Sequence, residues 1–199
     1  MTAYLTSNPA ISLDGFIAGP DQDRENPLGV GAEVLHRWMF EQPNENASEI
    51  EAICSAGAYV MGRNMFGHDR GEWDLDWHGW WGDDPPYHAP VFVLTHHEHE
   101  PVEMQGGTTF HFVTDGPEEA LRLATEAAGD RHVSICGGAS TINQYLAAGY
   151  IDELRLHVAP VVLGRGEALF RDLPGLAFEV ASSRSTSLVT HVTLRRTTG

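Results

Sequence analysis

Apolar and polar positions along this chain follow two periods, and the change from one to the other marks out strands and helices. Residues 133–136, Val-Ser-Ile-Cys, form a short apolar run that reads as a buried strand. Gly137 and Gly138 follow at once, and from Ala139 the pattern turns helical, with Ile142, Tyr145 and Leu146 on one face. Residues 91–94, Val-Phe-Val-Leu, ending in Thr95, predict a core strand, and residues 58–61, Ala-Tyr-Val-Met, predict another that ends at Gly62-Arg63. Residues 3–13 predict a first strand with a break near Pro9, and alternation predicts a strand over 108–114. Helices are predicted over 32–40, where Val34-Leu35 and Trp38-Met39 recur at helical spacing, and over 48–54, where Ser48 and Glu51 stand as in a capping box. A further helix is predicted over 118–128, opened by Gly116-Pro117, with acidic residues in the first turn where they suit the dipole. Residues 152–159 set Leu154, Leu156 and Val158 against Glu153, Arg155 and His157, which predicts a half-exposed strand. The alternating stretches 177–183 and 187–195 predict a terminal hairpin.

Strands alternate with helices through most of the chain and paired strands finish it. The expected fold is a single α/β domain over residues 1–199: a mixed, mostly parallel central sheet with helices on both faces and a C-terminal antiparallel hairpin. Ligands in such folds sit beyond the carboxyl ends of the strands. Three predicted strand ends carry suggestive residues: Met61-Gly62-Arg63, Leu94-Thr95-His96 and Cys136-Gly137-Gly138. At the last of these, strand, two glycines and helix N-terminus together make an anion site. Glycine lets a ligand approach the backbone, and the first helical N–H groups have no internal partners. A tight strand-to-helix turn, needing glycine for geometry alone, accounts for the same residues.

Two loops stand out. Phe16-Ile17-Ala18 is an apolar island between the turn pairs Asp14-Gly15 and Gly19-Pro20, so it covers either core or the flat face of a ligand. Asp14 reads as a turn residue bonding nearby backbone N–H groups, with a catalytic carboxylate as the alternative. Residues 67–90 form a long loop holding Trp73, Trp77, Trp80 and Trp81. It is either a binding loop whose rings stack on a planar substrate, or a flap whose rings seal against the core or a subunit partner.

Charge narrows the partners. The 199 residues carry a formal net charge of −16, a field that repels nucleic acid and anionic membrane surfaces. No basic leader or long apolar run opens the chain, and the two cysteines, Cys54 and Cys136, imply no disulfide framework, so the expectation is a cytoplasmic protein. No metal is expected: His96, His97 and His99 lie just past a strand, without HExxH or paired CxxC spacing. GxGxxG, the Walker A lysine motif and GxSxG are all missing.

Five stretches in order, SLDGFIA (12–18), MGRNMF (61–66), VFVLTHH (91–97), CGGAS (136–140) and PVVLGRGEALF (160–170), resemble the dihydrofolate-reductase-like proteins, in the branch similar to the reductase domain of bacterial riboflavin biosynthesis. The resemblance implies an NADPH-dependent reductase acting on a small planar heterocycle of the pterin, pyrimidine or flavin-precursor class. It implies NADPH lying across the strand ends. Arg63, beyond Gly62, would reach the adenosine 2′-phosphate, and Asn64 and Met65 would present backbone N–H groups to the pyrophosphate. Thr95 and His96 would flank the adenosine. Gly138, Ala139, Ser140 and Thr141 would hold the pyrophosphate from the other side, and Ala10, Ile17 and Gly137 would box the nicotinamide. Gly164-Arg165-Gly166 either closes the same cleft or is a surface hairpin. For the proton donor the resemblance points to the 32–40 helix, where Glu33 is the candidate catalytic acid against a solvated helix-end glutamate. Asp14, His36, Tyr87 and His88 are weaker candidates. The other functional class is a nucleotide-binding protein without turnover. Sheet edges at 152–159 and at the terminal hairpin make a homodimer an expectation as well.

Overall fold

The computed structural model describes residues 3–68 and 71–197. In chain order the strands are β1 (Leu5–Ser7), β2 (Ala10–Ile11), β3 (Phe16–Ala18), β4 (Ala58–Gly62), β5 (Pro90–Leu94), β6 (Val102–Glu103), β7 (Thr109–Val113), β8 (Val133–Gly137), β9 (Glu153–Val158), β10 (Glu167–Ala168), β11 (Phe178–Ser185) and β12 (Thr190–Arg196). The α-helices are α1 (Arg37–Glu41), α2 (Ala47–Ile53), α3 (Arg63–Phe66), α4 (Pro117–Ala128) and α5 (Ala139–Ala147). Strands β9, β1, β8, β4, β5 and β7 lie side by side in that order and all run parallel. β12 and β11 continue the sheet antiparallel beyond β9, β6 pairs antiparallel with β7, and β2 adds to β9. This is the expected single α/β domain with a mostly parallel sheet and a C-terminal antiparallel pair.

The continuous apolar runs of β4 and β5 follow from burial on both faces. Ala58, Val60 and Phe92 pack with α4 and α5, through Ala120, Ala124, Ile142, Tyr145 and Leu146, on one side. Tyr59, Met61, Val91 and Val93 pack with Phe66 and Phe110 on the other. Each fully buried large apolar side chain contributes about 1.5–3 kcal/mol, so β4 and β5 form the strongest part of the scaffold.

Several local expectations change. Residues 16–18 form a strand, paired antiparallel with β10, and not a loop. Residues 33–36 form a 3-10 turn before the short α1, so the predicted 32–40 helix is split. Ser48 lies inside α2 and bonds Glu49 Oε2 at 2.8 Å; the N-cap is Asn46, with no side-chain cap bond, because the Asn46 side chain is engaged elsewhere. Most consequential is β9. It is not a half-exposed edge but an interior strand between β1 and β12, and Glu153 and His157 on its polar face are 5% and 2% exposed. Alternation identifies the apolar face of a strand; it is silent on whether something covers the other.

Candidate active site

A cavity of about 820 Å³ runs along the carboxyl ends of the parallel strands. Asn8 beyond β1, Gly62 of β4, Leu94 and Thr95 at the end of β5, Thr114 beyond β7, Gly137 of β8 and His157 of β9 all line it. This is the position that parallel α/β topology reserves for ligands, because loops and helix N-termini gather there.

The turn from β8 into α5 forms one wall. Gly137 has φ +147°, a conformation open to glycine, and its peptide to Gly138 is cis. A Cβ on Gly138 would meet no atom within 4 Å, so this position faces open cavity. No side chain caps α5, whose first residues Ala139, Ser140 and Thr141 line the cavity. An uncapped helix start behind a bare glycine offers backbone donors and a positive dipole end to an anionic group. Facing it, a Cβ on Gly62 would stand 2.5 Å from Thr141 Oγ1; the end of β4 and the start of α5 meet this closely because residue 62 has no side chain.

Arg63, Asn64 and Met65 follow Gly62 in the short α3 and also line the cavity. The Arg63 guanidinium stacks on Trp73, 3.8 Å from the ring centroid, and donates to the carbonyl of Gly71 at 2.6 Å. Thr95 is buried and turns its hydroxyl to the His97 backbone N–H at 3.1 Å, while His96 beside it is exposed; both line the cavity. Ala10, Ile17 and Gly137 line the cavity as well. Every residue expected to hold the dinucleotide therefore lies on the wall of this one cavity.

The expected carboxylates do not. Glu33 sits on the exposed side of the 3-10 turn, away from the cavity wall, because Ala32 and Leu35 are the residues that turn inward. Asp14 is also exposed. It accepts from Ser12 Oγ at 2.7 Å and from the backbone N–H groups of Leu163 at 3.0 Å and Gly164 at 2.6 Å. The Ser12 hydroxyl and those two amides hold its carboxyl below the usual range. Asp14 thus pins the 163–164 segment beside β3, and the β3–β10 pair carries the segment on to Glu167, the one carboxylate among the described residues lining the cavity. Residues 164–166 accordingly belong to an arm bound to β3. Of the weaker candidates, His36 and Tyr87 line the cavity, whereas exposed His88 is turned to the carbonyl of Gly106.

The tryptophan loop seals against the core, as one of its two readings expects. Trp73, Trp77 and Trp81 pack on the apolar cluster around Phe66 and Phe110, and Trp81 stacks on Phe110 at 5.7 Å. Trp80 and Trp81 also reach the cavity wall. Sequence reasoning missed His157, Trp38 and Asn8 on that wall. The alternation in β9 placed His157 opposite the apolar face, but no signal in the chain announces that Trp38 covers it.

Fold and cavity together define an α/β protein of the dihydrofolate-reductase-like class, with a cavity across the strand ends. The chain belongs to the RibD C-terminal domain family, whose model matches residues 3–193. It is similar over 98% of its length to a putative riboflavin biosynthesis protein from Shewanella sp. PV-4, with 26% identity, 99% coverage of that chain and a TM-score of 0.65. The Thermotoga maritima diaminohydroxyphosphoribosylaminopyrimidine deaminase/5-amino-6-(5-phosphoribosylamino)uracil reductase shares the fold at TM-score 0.60 and 16% identity; 98% of this chain matches 57% of that longer one. Enterococcus faecalis dihydrofolate reductase, solved with NADP(H) and RAB-propyl, matches at TM-score 0.55 and 15% identity, with 98% of each chain covered.

Proposed function

We propose that this protein is an NADPH-dependent reductase of a small planar heterocycle of the pterin, pyrimidine or flavin-precursor class. The observation that carries the reading is the convergence of the glycine-lined start of α5, the Gly62–Met65 turn and the Ala10–Ile17 wall on a single cavity. The bare Gly138 position and the uncapped α5 start fit a pyrophosphate, and Arg63 at the same wall fits a 2′-phosphate, since a guanidinium fork matches phosphate oxygens. When bound, NADPH supplies a hydride from its nicotinamide C4. The residues of this chain orient the two rings, and Ile17 and the arm through Glu167 help exclude water from the ring end. The similarity to proteins described as a uracil reductase and as a dihydrofolate reductase with NADP(H) supports the same class. A homodimer belongs to this reading too: β11, exposed almost throughout, is the outer strand of the sheet and the edge that a second copy would cover.

The test is titration of NADPH against tryptophan fluorescence, followed by NADPH oxidation with a panel of dihydropterins and ribityl-aminopyrimidines. Saturable quenching with turnover of at least one member supports the reading. The second reading, nucleotide binding without turnover, is favoured by the absence of Glu33 and Asp14 from the cavity wall; saturable NADPH binding with no oxidation across the panel would establish it instead.

A further inference from the structure

His157 of β9 and His191 of β12 are register partners, 2% and 6% exposed. Their Nδ1 atoms lie 2.8 Å apart, a separation at which one nitrogen donates and the other accepts. Asn46 decides which. Its amide nitrogen donates to the backbone carbonyls of Gln42 at 2.9 Å and Trp38 at 3.2 Å, and Arg184 Nη2, a donor only, approaches its oxygen at 3.4 Å. The oxygen is therefore the acceptor that faces His191 Nε2 at 2.9 Å, and His191 Nε2 carries a hydrogen. A neutral His191 then has its lone pair on Nδ1, so His157 Nδ1 donates to it. A neutral His157 is left with a lone pair on Nε2.

Both rings are neutral at physiological pH. Burial first, then the neighbouring His191, lowers His157 to about 3, and burial lowers His191 as well. Glu49 pulls the other way on both, and His36 and Arg155 add to the depression of His157.

His157 lines the cavity beside its register partner Ala10 on the ring-binding wall. The two nitrogens of an imidazole diverge widely across the ring, so with Nδ1 held toward His191 on β12, Nε2 points away from β12. That Nε2 is buried without a hydrogen-bond partner among the described residues, and so are Asn8 Oδ1 and Trp38 Nε1, from residues of the same wall. A buried, oriented acceptor left unpaired costs free energy that a ligand donor recovers.

We propose that His157 is a specificity-determining residue whose Nε2, fixed as an acceptor by the Asn46–His191 relay, takes a hydrogen bond from the substrate. This rests on the reductase reading above and sharpens it. The substrate ring carries an N–H, amino or hydroxyl group on the edge that meets β9, and a ring offering only acceptors there is rejected. Asn46 and His191 act through His157 as positioning residues.

Long-range proton–nitrogen NMR of the full chain labelled with [15N]histidine tests the relay with no ligand present. At neutral pH we expect His157 to carry its hydrogen on Nδ1 and His191 on Nε2, and Asn46→Leu to release His157 to the Nε2–H form. A wild-type spectrum with hydrogen on His157 Nε2 overturns the proposal, and this measurement stands even if the variant does not fold. Calorimetry on the NADPH-saturated protein tests the substrate. Aminopyrimidines bearing a ring N–H should bind about tenfold or more tighter than their N-methylated counterparts, and His157→Phe should abolish that ratio. Equal binding of the two sets, or binding of no donor-bearing member, overturns the substrate assignment. Absence of NADPH binding by itself removes the reductase reading and leaves the tautomer result intact.

Discussion

The Arg63 guanidinium lies flat on the Trp73 ring, 3.8 Å from its centroid, with one nitrogen held by the Gly71 carbonyl at 2.6 Å. Stacked and hydrogen-bonded, the cation is held at the cavity wall before any ligand arrives, which lowers the ordering cost of a phosphate contact. Arg63→Ala is expected to weaken NADPH binding by about 1.5–3 kcal/mol, the range of a hydrogen bond to a charged group, and to change NADH binding little. Parallel titrations of both cofactors check this; an equal loss for the two removes Arg63 from the 2′-phosphate.

The contact between Gly62 and Thr141 gives a second prediction. A methyl at residue 62 would press on the Thr141 hydroxyl and push apart the two elements that flank the proposed pyrophosphate site. Gly62→Ala should cost about 1–3 kcal/mol of stability by overpacking and raise the NADPH dissociation constant. Thr141→Ala in the same chain should recover most of the stability. A double-mutant cycle read by urea denaturation measures the coupling, and strictly additive losses would refute it.

Acid sensitivity follows from the buried histidines. Burial lowers His36 to about 4, and burial with His191 lowers His157 to about 3, whereas both take up a proton near 6.5 once unfolded. Below that point the unfolded chain binds more protons than the folded one, so stability is complete above about pH 6.5 and is lost as pH falls. Together the two rings should lower the unfolding free energy by about 2 kcal/mol per pH unit below pH 6. Denaturation curves at pH 7.5, 6 and 5 test the slope, and His36→Phe should make it shallower.

The two exposed carboxylates separate cleanly. Glu33→Gln should leave thermal stability, NADPH affinity and turnover within about twofold of the parent, since solvated surface positions away from special features contribute little. Asp14→Ala should instead loosen the arm that it ties to β3, raising the NADPH dissociation constant and speeding proteolysis near residue 164 while the far-ultraviolet circular dichroism stays the same. A drop in turnover for Glu33→Gln with unchanged binding would return that residue to the chemistry.

Much of this molecule is readable from the chain because its governing interactions are local. The apolar runs of β4, β5 and β8 are buried on both faces, so hydrophobicity alone marks them, and Gly137-Gly138 before a helical pattern states a strand-to-helix turn with exposed backbone donors. The residues expected to hold a cofactor are legible as lining one cavity for the same reason: parallel topology brings strand ends together, and most of those residues sit at one.

What tertiary structure alone decides is which polar faces are covered and by what. His157 and His191 are 34 residues apart in sequence and meet through the β9–β12 register, while Asn46, at the N-cap of α2, reaches His191 from 145 residues away. Glu33 and His36 share one short turn, yet only His36 lines the cavity, because the rotation of a single turn places one side chain inward and the other in water. Periodicity along a chain records which side of an element is apolar. Pairing across the sheet and the packing of distant helices determine where a buried polar group finds its partner, and those distances do not exist until the chain has folded.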